Sequence, residues 1–178
     1  MVRAKPKKSK FPADKAGVKK IISKLNRAHP DAKPDPDLSN PLELLPAFIL
    51  AAQARDALVN QVTPQLFHKY RTPQDYAHVS LASLEGEIRR INFFRNKARL
   101  IQNCCREVIE RFQGKIPNDL DDLLSLPGVG RKTANILLGN AFGRQAIGVD
   151  THVMRLSQRL GLTRNTNPDK IEFDLMAL

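Results

Sequence analysis

The chain has 178 residues, 42% of them hydrophobic, enough for one ordinary packed domain or two small ones. A formal charge of +11 points first at nucleic acid or another polyanion as partner. No apolar run reaches the ~18–20 residues that span a membrane, the N-terminus lacks a secretory apolar stretch, and adjacent Cys104 and Cys105 do not suit a disulfide framework.

The charge is uneven. Residues 1–24 hold nine basic side chains against Asp14 alone, and the remaining 154 residues hold 20 basic against 17 acidic. Residues 1–13 therefore read as a disordered basic arm, a pattern that is more often a solvated tail than a site. A helix is predicted from Asp14 to about Ala28, where Val18, Ile21, Ile22 and Leu25 recur at helical spacing. Pro30, Pro34 and Pro36 then mark a linker. Asn40-Pro41-Leu42-Glu43 is a strong helix start: a capping residue, a proline preset for the first turn, and a glutamate three residues past the cap. Leu42, Leu45, Ile49 and Ala52 share a face of that helix, and Pro46 within it predicts a kink. Further helices are predicted near 56–69, 83–90, 95–112, 119–125, 131–142, 151–160 and 168–177. The connections are short and carry Pro or Gly, Thr72-Pro73 among them. Strand alternation is absent, so the fold class is all-α.

The most informative stretch is Leu126-Pro127-Gly128-Val129-Gly130-Arg131-Lys132-Thr133-Ala134. Two glycines two residues apart let the backbone turn sharply and approach another surface closely. Their N–H groups, with those opening the next helix, form a nest for a phosphate. Such contacts position DNA without selecting sequence. Gly-x-Gly alone is equally an ordinary helix–turn–helix. Lys132 adds chemistry, because a cation in the first turn of a helix faces the positive end of the macrodipole. A nucleophilic amine must fall from ~10.4 towards 7, roughly 4–5 kcal/mol of differential interaction. The helix end supplies about 0.3–1 kcal/mol of that, so desolvation by a closed cleft and bound DNA must supply most. Eighteen residues on, Asp150 opens the next helix; it reads as an N-cap, and one carboxylate is compatible with both capping and catalysis. His152 reads as a partly buried helix residue rather than a base.

Residues 126–134 followed by Val149-Asp150-Thr151-His152-Val153 resemble the helix–hairpin–helix glycosylases, and within them the endonuclease III branch. The resemblance extends back through residues 39–45, residues 50–56 and Phe94-Arg95-Asn96-Lys97-Ala98, and covers about residues 14–178. It implies a helical barrel over 39–150, with the hairpin at about 119–142. It implies a second helical domain begun by 14–38 and re-entered by 151–178. The implied activity is excision of oxidised pyrimidines from duplex DNA, followed by nicking at the abasic site. Lys132 would attack the sugar C1′ and form a Schiff base leading to β-elimination; Asp150 would stabilise the positive sugar and assist proton transfers. Gln53 matches the residue that fills the gap left by the flipped base, although polar residues ending apolar helices are usually plain surface positions. Phe93 matches an apolar wedge on the opposite strand; by residue type alone both Phe93 and Phe94 are equally core candidates, and Phe94 is read as core. Gly128, Val129, Gly130, Arg131 and Thr133 complete the implied DNA contacts. The implied partner is double-stranded DNA bound by a monomer, with no membrane. The expected compartment is the bacterial cytoplasm, at the nucleoid, or the nucleus or mitochondrion of a eukaryote. A catalytically weak module that binds damaged DNA is the alternative.

Three departures stand out. Asn92 replaces a glycine usual before the wedge and is expected to take the left-handed backbone in its place. Pro46 interrupts a helix that normally runs unbroken. The family also continues into more helices and a C-x₆-C-x₂-C-x₅-C loop that binds a four-iron four-sulfur cluster. This sequence ends at Leu178 and encodes none of those ligands, so no cofactor and no metal site is expected, and apolar surface would be left exposed.

Overall fold

The computed structural model describes residues 15–32 and 40–178; the predicted arm at 1–13 and residues 33–39 of the linker lie outside the described residues. The ten helices among the described residues begin largely where the sequence supplies a cap. Helix α2 (Pro41–Ala51) starts at Asn40, whose Oδ1 accepts from Leu42 N–H at 3.0 Å and whose Nδ2 donates to Glu43 at 2.9 Å. The helix runs on through Pro46 without a break. Helix α1 (Lys15–Ala28) precedes it, and α3 (Asp56–Lys69) follows.

One helix escaped the sequence reading. Helix α4 (Pro73–His78) occupies a segment where Thr72-Pro73 predicts a connection. Its signal was present: Thr72 and Asp75 form a reciprocal capping box around Pro73. Helix α5 (Leu81–Glu87) starts two residues earlier than predicted because Ser80 caps it. The long α6 (Phe94–Phe112) comes next, followed by α7 (Leu120–Leu124), α8 (Arg131–Phe142), α9 (Thr151–Arg159) and α10 (Pro168–Met176). No strand occurs among the described residues.

The described residues form two units. The larger comprises residues 40–146 and the smaller residues 15–32 with 147–178. In the larger unit, α6 packs against α2, α4 and α5, while α2 also packs on α3 and α8. Its core is aliphatic, built from Leu44, Ile49 and Leu50 of α2, Leu66 of α3, Ile101 and Val108 of α6, and Leu137 of α8. Cys104 and Cys105 are buried in the same core as small apolar groups. In the smaller unit, α9 packs on α10, and the loop between them is tied down by Asp174. That carboxylate accepts from Thr163 Oγ1 and, at 2.7 Å, from Asn165 Nδ2. Phe173, Met176, Leu156 and Ile22 of this unit are exposed.

Candidate functional site

The turn between α7 and α8 is pinned from inside. Leu126 and Val129 are buried, and Val129 N–H donates to the Leu126 carbonyl at 3.2 Å. The two glycines beside them have different reasons to be glycine. Gly128 sits at φ +81°, and a Cβ there would lie 3.3 Å from Ile49 Cγ1 and 3.6 Å from Leu100 Cβ. Both backbone conformation and space demand a glycine. Gly130 has φ −92° and ψ 169°, which any residue adopts, and a Cβ on it would meet open space. Nothing inside the described chain requires glycine at 130, whereas a surface brought up against it from outside would.

Gly130 is also the N-cap of α8, so no side chain caps that helix start. Lys132 is exposed in its first turn, between half-buried Arg131 and Thr133. Exposed hairpin glycines, a helix N-terminus capped by glycine and the adjacent cations Arg131 and Lys132 are the elements from which anion-binding surfaces are built.

A second group of predicted residues gathers around one recess of about 310 Å³ in the same unit. Gln53, just past the end of α2, and Phe93, the N-cap of α6, both line it, as does Gly128. Both side chains are exposed, Phe93 to 66%. Both stand on left-handed backbone, with φ of 54° for Gln53 and 59° for Phe93. The left-handed residue of the second turn is thus Phe93 and not Asn92, as expected from sequence. For a bulky residue that conformation costs about 1–2 kcal/mol, a cost that recurs at ligand-binding sites. Gln113 is left-handed as well, but it closes α6 ahead of Gly114, where such backbone is ordinary helix termination.

Lys97 was not singled out from sequence. Its register gave the signal, since it lies four residues before Ile101 on the core face of α6. It is 4% exposed, its Nζ donates to the Leu50 carbonyl at 2.7 Å, and burial pushes its pKa below the usual 10.5.

In the smaller unit, Asp150 caps α9. Its Oδ1 accepts from His152 N–H at 2.9 Å and from Val153 N–H at 2.8 Å. His152, expected to be partly buried, is exposed. Phe94 packs against the core, as read from sequence, with Arg95 over its ring at 5.1 Å.

The cysteines present do not fit an iron–sulfur cluster. Burial pushes both thiols up, Cys105 to about 12, which opposes the thiolate form a cluster needs. Among the described residues no three His, Cys, Asp or Glu side chains converge as metal ligands.

The model of the HhH-GPD superfamily of base excision DNA repair proteins matches residues 47–178. The chain is 46% identical to the endonuclease III of Synechocystis over 170 residues, covering 95% of this chain and 78% of that one. It is 49% identical to the Bacillus subtilis endonuclease III over 80% of this chain and 65% of the relative, just under two thirds of that protein's length. A trapped covalent endonuclease III–DNA intermediate in an estranged-adenine complex superposes with a TM-score of 0.82. There the identity is 47%, over 92% of this chain and 78% of the other. The fold and the hairpin thus define a helix–hairpin–helix base excision repair protein. Within that superfamily, the chain belongs to the endonuclease III family.

Proposed function

We propose that this chain is a base-excision repair DNA glycosylase with AP lyase activity, acting on oxidised pyrimidines in duplex DNA. The observation that carries the reading is Lys132: an exposed amine in the first turn of α8, beside a glycine hairpin with room for a phosphate backbone. The hairpin N–H groups hold the strand by its phosphates. The damaged nucleotide leaves the stack, Gln53 fills the gap behind it, and Phe93 wedges the opposite strand. The bound duplex closes over Lys132 and excludes water from it.

The neutral amine of Lys132 forms a bond to C1′ as the glycosidic C1′–N bond breaks. The base departs with that electron pair and takes up a proton. Loss of one amine proton, then opening of the sugar ring as the nitrogen lone pair breaks C1′–O4′ and O4′ takes up a proton, yields the protonated Schiff base. Removal of a C2′ proton then expels the 3′ phosphate by β-elimination, and water releases Lys132. Asp150 stabilises the positive charge that develops on the sugar and relays protons. Genomic DNA in a bacterial cytoplasm is the fitting setting, with the basic arm adding sequence-independent attraction. A binding module without catalysis is not favoured, because it needs neither Lys132 nor Asp150.

The test is borohydride trapping on a duplex with one abasic site, with Lys132→Ala in parallel because the arm's lysines also react with aldehydes. A covalent adduct and a nick that both vanish in the variant are expected. An adduct that persists in the variant, or none despite DNA binding, overturns the reading.

A further inference from the structure

Lys97 is a buried ammonium with an unusual set of partners. No carboxylate of the described residues pairs with it; its Nζ donates to a backbone carbonyl, that of Leu50, across 47 positions of sequence. Leu50 lies in the last turn of α2, three residues before Gln53. A cation at a helix C-terminus meets the negative end of the dipole and an acceptor that the helix itself leaves unused. Lys97 itself stands in the first turn of α6, where its N–H makes the ordinary i→i−4 helical bond to the carbonyl of the N-cap Phe93 at 3.0 Å. One residue therefore bonds to the stretch just before Gln53 and to Phe93 itself, and its side chain lines the recess between them. A core position needing only volume is served as well or better by an apolar side chain. The charge instead fixes direction and distance, which is what two left-handed turns carrying exposed side chains require.

We propose that Lys97 is a positioning residue, clamping the end of α2 to the start of α6 so that Gln53 and Phe93 enter the damaged duplex in register. The inference rests on the glycosylase reading above. It assigns Lys97 no contact with the reacting atoms. The depressed pKa agrees with the burial of the amine, and the side chain donates to Leu50 whether charged or neutral.

The experiment compares wild type, Lys97→Met and Lys97→Arg for binding to an intact duplex and to one carrying a tetrahydrofuran abasic analogue. The analogue has no aldehyde, so binding is read without chemistry. A 2-aminopurine opposite the analogue reports insertion at the gap. Lys97→Met is expected to lower the preference for the abasic duplex roughly tenfold or more, as misplaced contact groups do, with a weaker 2-aminopurine signal. Intact-duplex affinity and its salt slope should stay as in wild type, because a buried side chain neutralises no phosphate. Lys97→Arg, which keeps charge and donor, should restore most of the preference. Should Lys97→Met lack a cooperative melting transition, Lys97→Gln takes its place with the same expectation. A preference unchanged in the neutral variant overturns the clamp. Equal loss on both duplexes with a salt slope shallower by about one also overturns it, making Lys97 a phosphate contact. A wild-type protein without preference for the abasic duplex removes the functional reading instead, and the clamp falls with it.

Discussion

Asp150 is assigned a structural task and a chemical one, and two substitutions separate them. Its Oδ1 accepts two N–H groups of the first turn of α9, at 2.9 and 2.8 Å. Alanine removes both bonds and costs about 1 kcal/mol, with about 2 kcal/mol as the upper end for a cap. Asparagine keeps an oxygen in the same place and caps as well as aspartate. It forfeits the charge–dipole part, about 0.3–1 kcal/mol. In a chain of this size 1 kcal/mol moves the melting temperature by about 2–4 °C. Asp150→Asn should therefore melt within about 4 °C of wild type, and Asp150→Ala no higher than Asp150→Asn. Activity should follow the charge instead. Both variants lose the carboxylate to which the proposed mechanism assigns steadying the positive sugar and relaying protons, so single-turnover excision should fall by about 10²–10⁴-fold in each. Thermal melts and single-turnover cleavage on one protein preparation supply both readings. An Asp150→Asn protein that cleaves like wild type would reduce Asp150 to a cap. A loss of activity that tracks melting temperature across the two variants would refute the separation as well.

The hairpin glycines give a second pair. Gly128→Ala forces a Cβ against Ile49 on left-handed backbone and should destabilise the protein by about 1–3 kcal/mol. Gly130→Ala should leave the melting temperature within about 2 °C yet weaken DNA binding, so undiminished DNA binding by Gly130→Ala would contradict the phosphate role. A third test uses pH. Hydrogen bonds from Thr163 and then Asn165 hold the Asp174 carboxyl below its ordinary 3.8. A depressed folded-state pKa means that its stabilisation is full well above 3.8 and is lost as pH falls through the folded value. Asp174→Ala should accordingly melt below wild type at pH 7, with the gap closing on acidification below 3.8; a gap independent of pH would sink that assignment.

Much of the fold was legible because the helices obey local rules. Asn40-Pro41-Leu42-Glu43 announced α2 through cap, proline and glutamate together, and the structure shows each in its place. Asp150 announced α9 by its capping side chain alone. The miss at α4 was one of weighting: Thr72-Pro73 reads as a turn, yet Asp75 three residues past Thr72 turns the same letters into a capping box. Six residues carry too little periodicity to outvote a proline, so only the cap chemistry could have decided it. The hairpin was legible as a motif, but the division of labour between Gly128 and Gly130 was not. That division depends on Ile49 and Leu100, which approach Gly128 from α2 and α6.

The residues whose local geometry departs from what sequence rules predict share a physical property: each breaks the rule of its own neighbourhood. Phe93 and Gln53 take backbone that favours glycine or asparagine, Lys97 puts an ammonium where its register calls for an apolar group, and Gly130 spends flexibility that its own backbone does not use. A local rule is a statement about folding free energy alone, and each violation lowers stability when the chain is considered by itself. Three of these residues, Gln53, Phe93 and Lys97, meet at one recess, and Gly130 lies two residues from Gly128, which lines it too. Unrelated errors would scatter over the molecule. Concentration on one face points to a single requirement from outside the chain, and the distorted duplex of the proposed function would supply one: a wedge, a gap-filler, a rigid tie between them and a backbone flat enough for a phosphate.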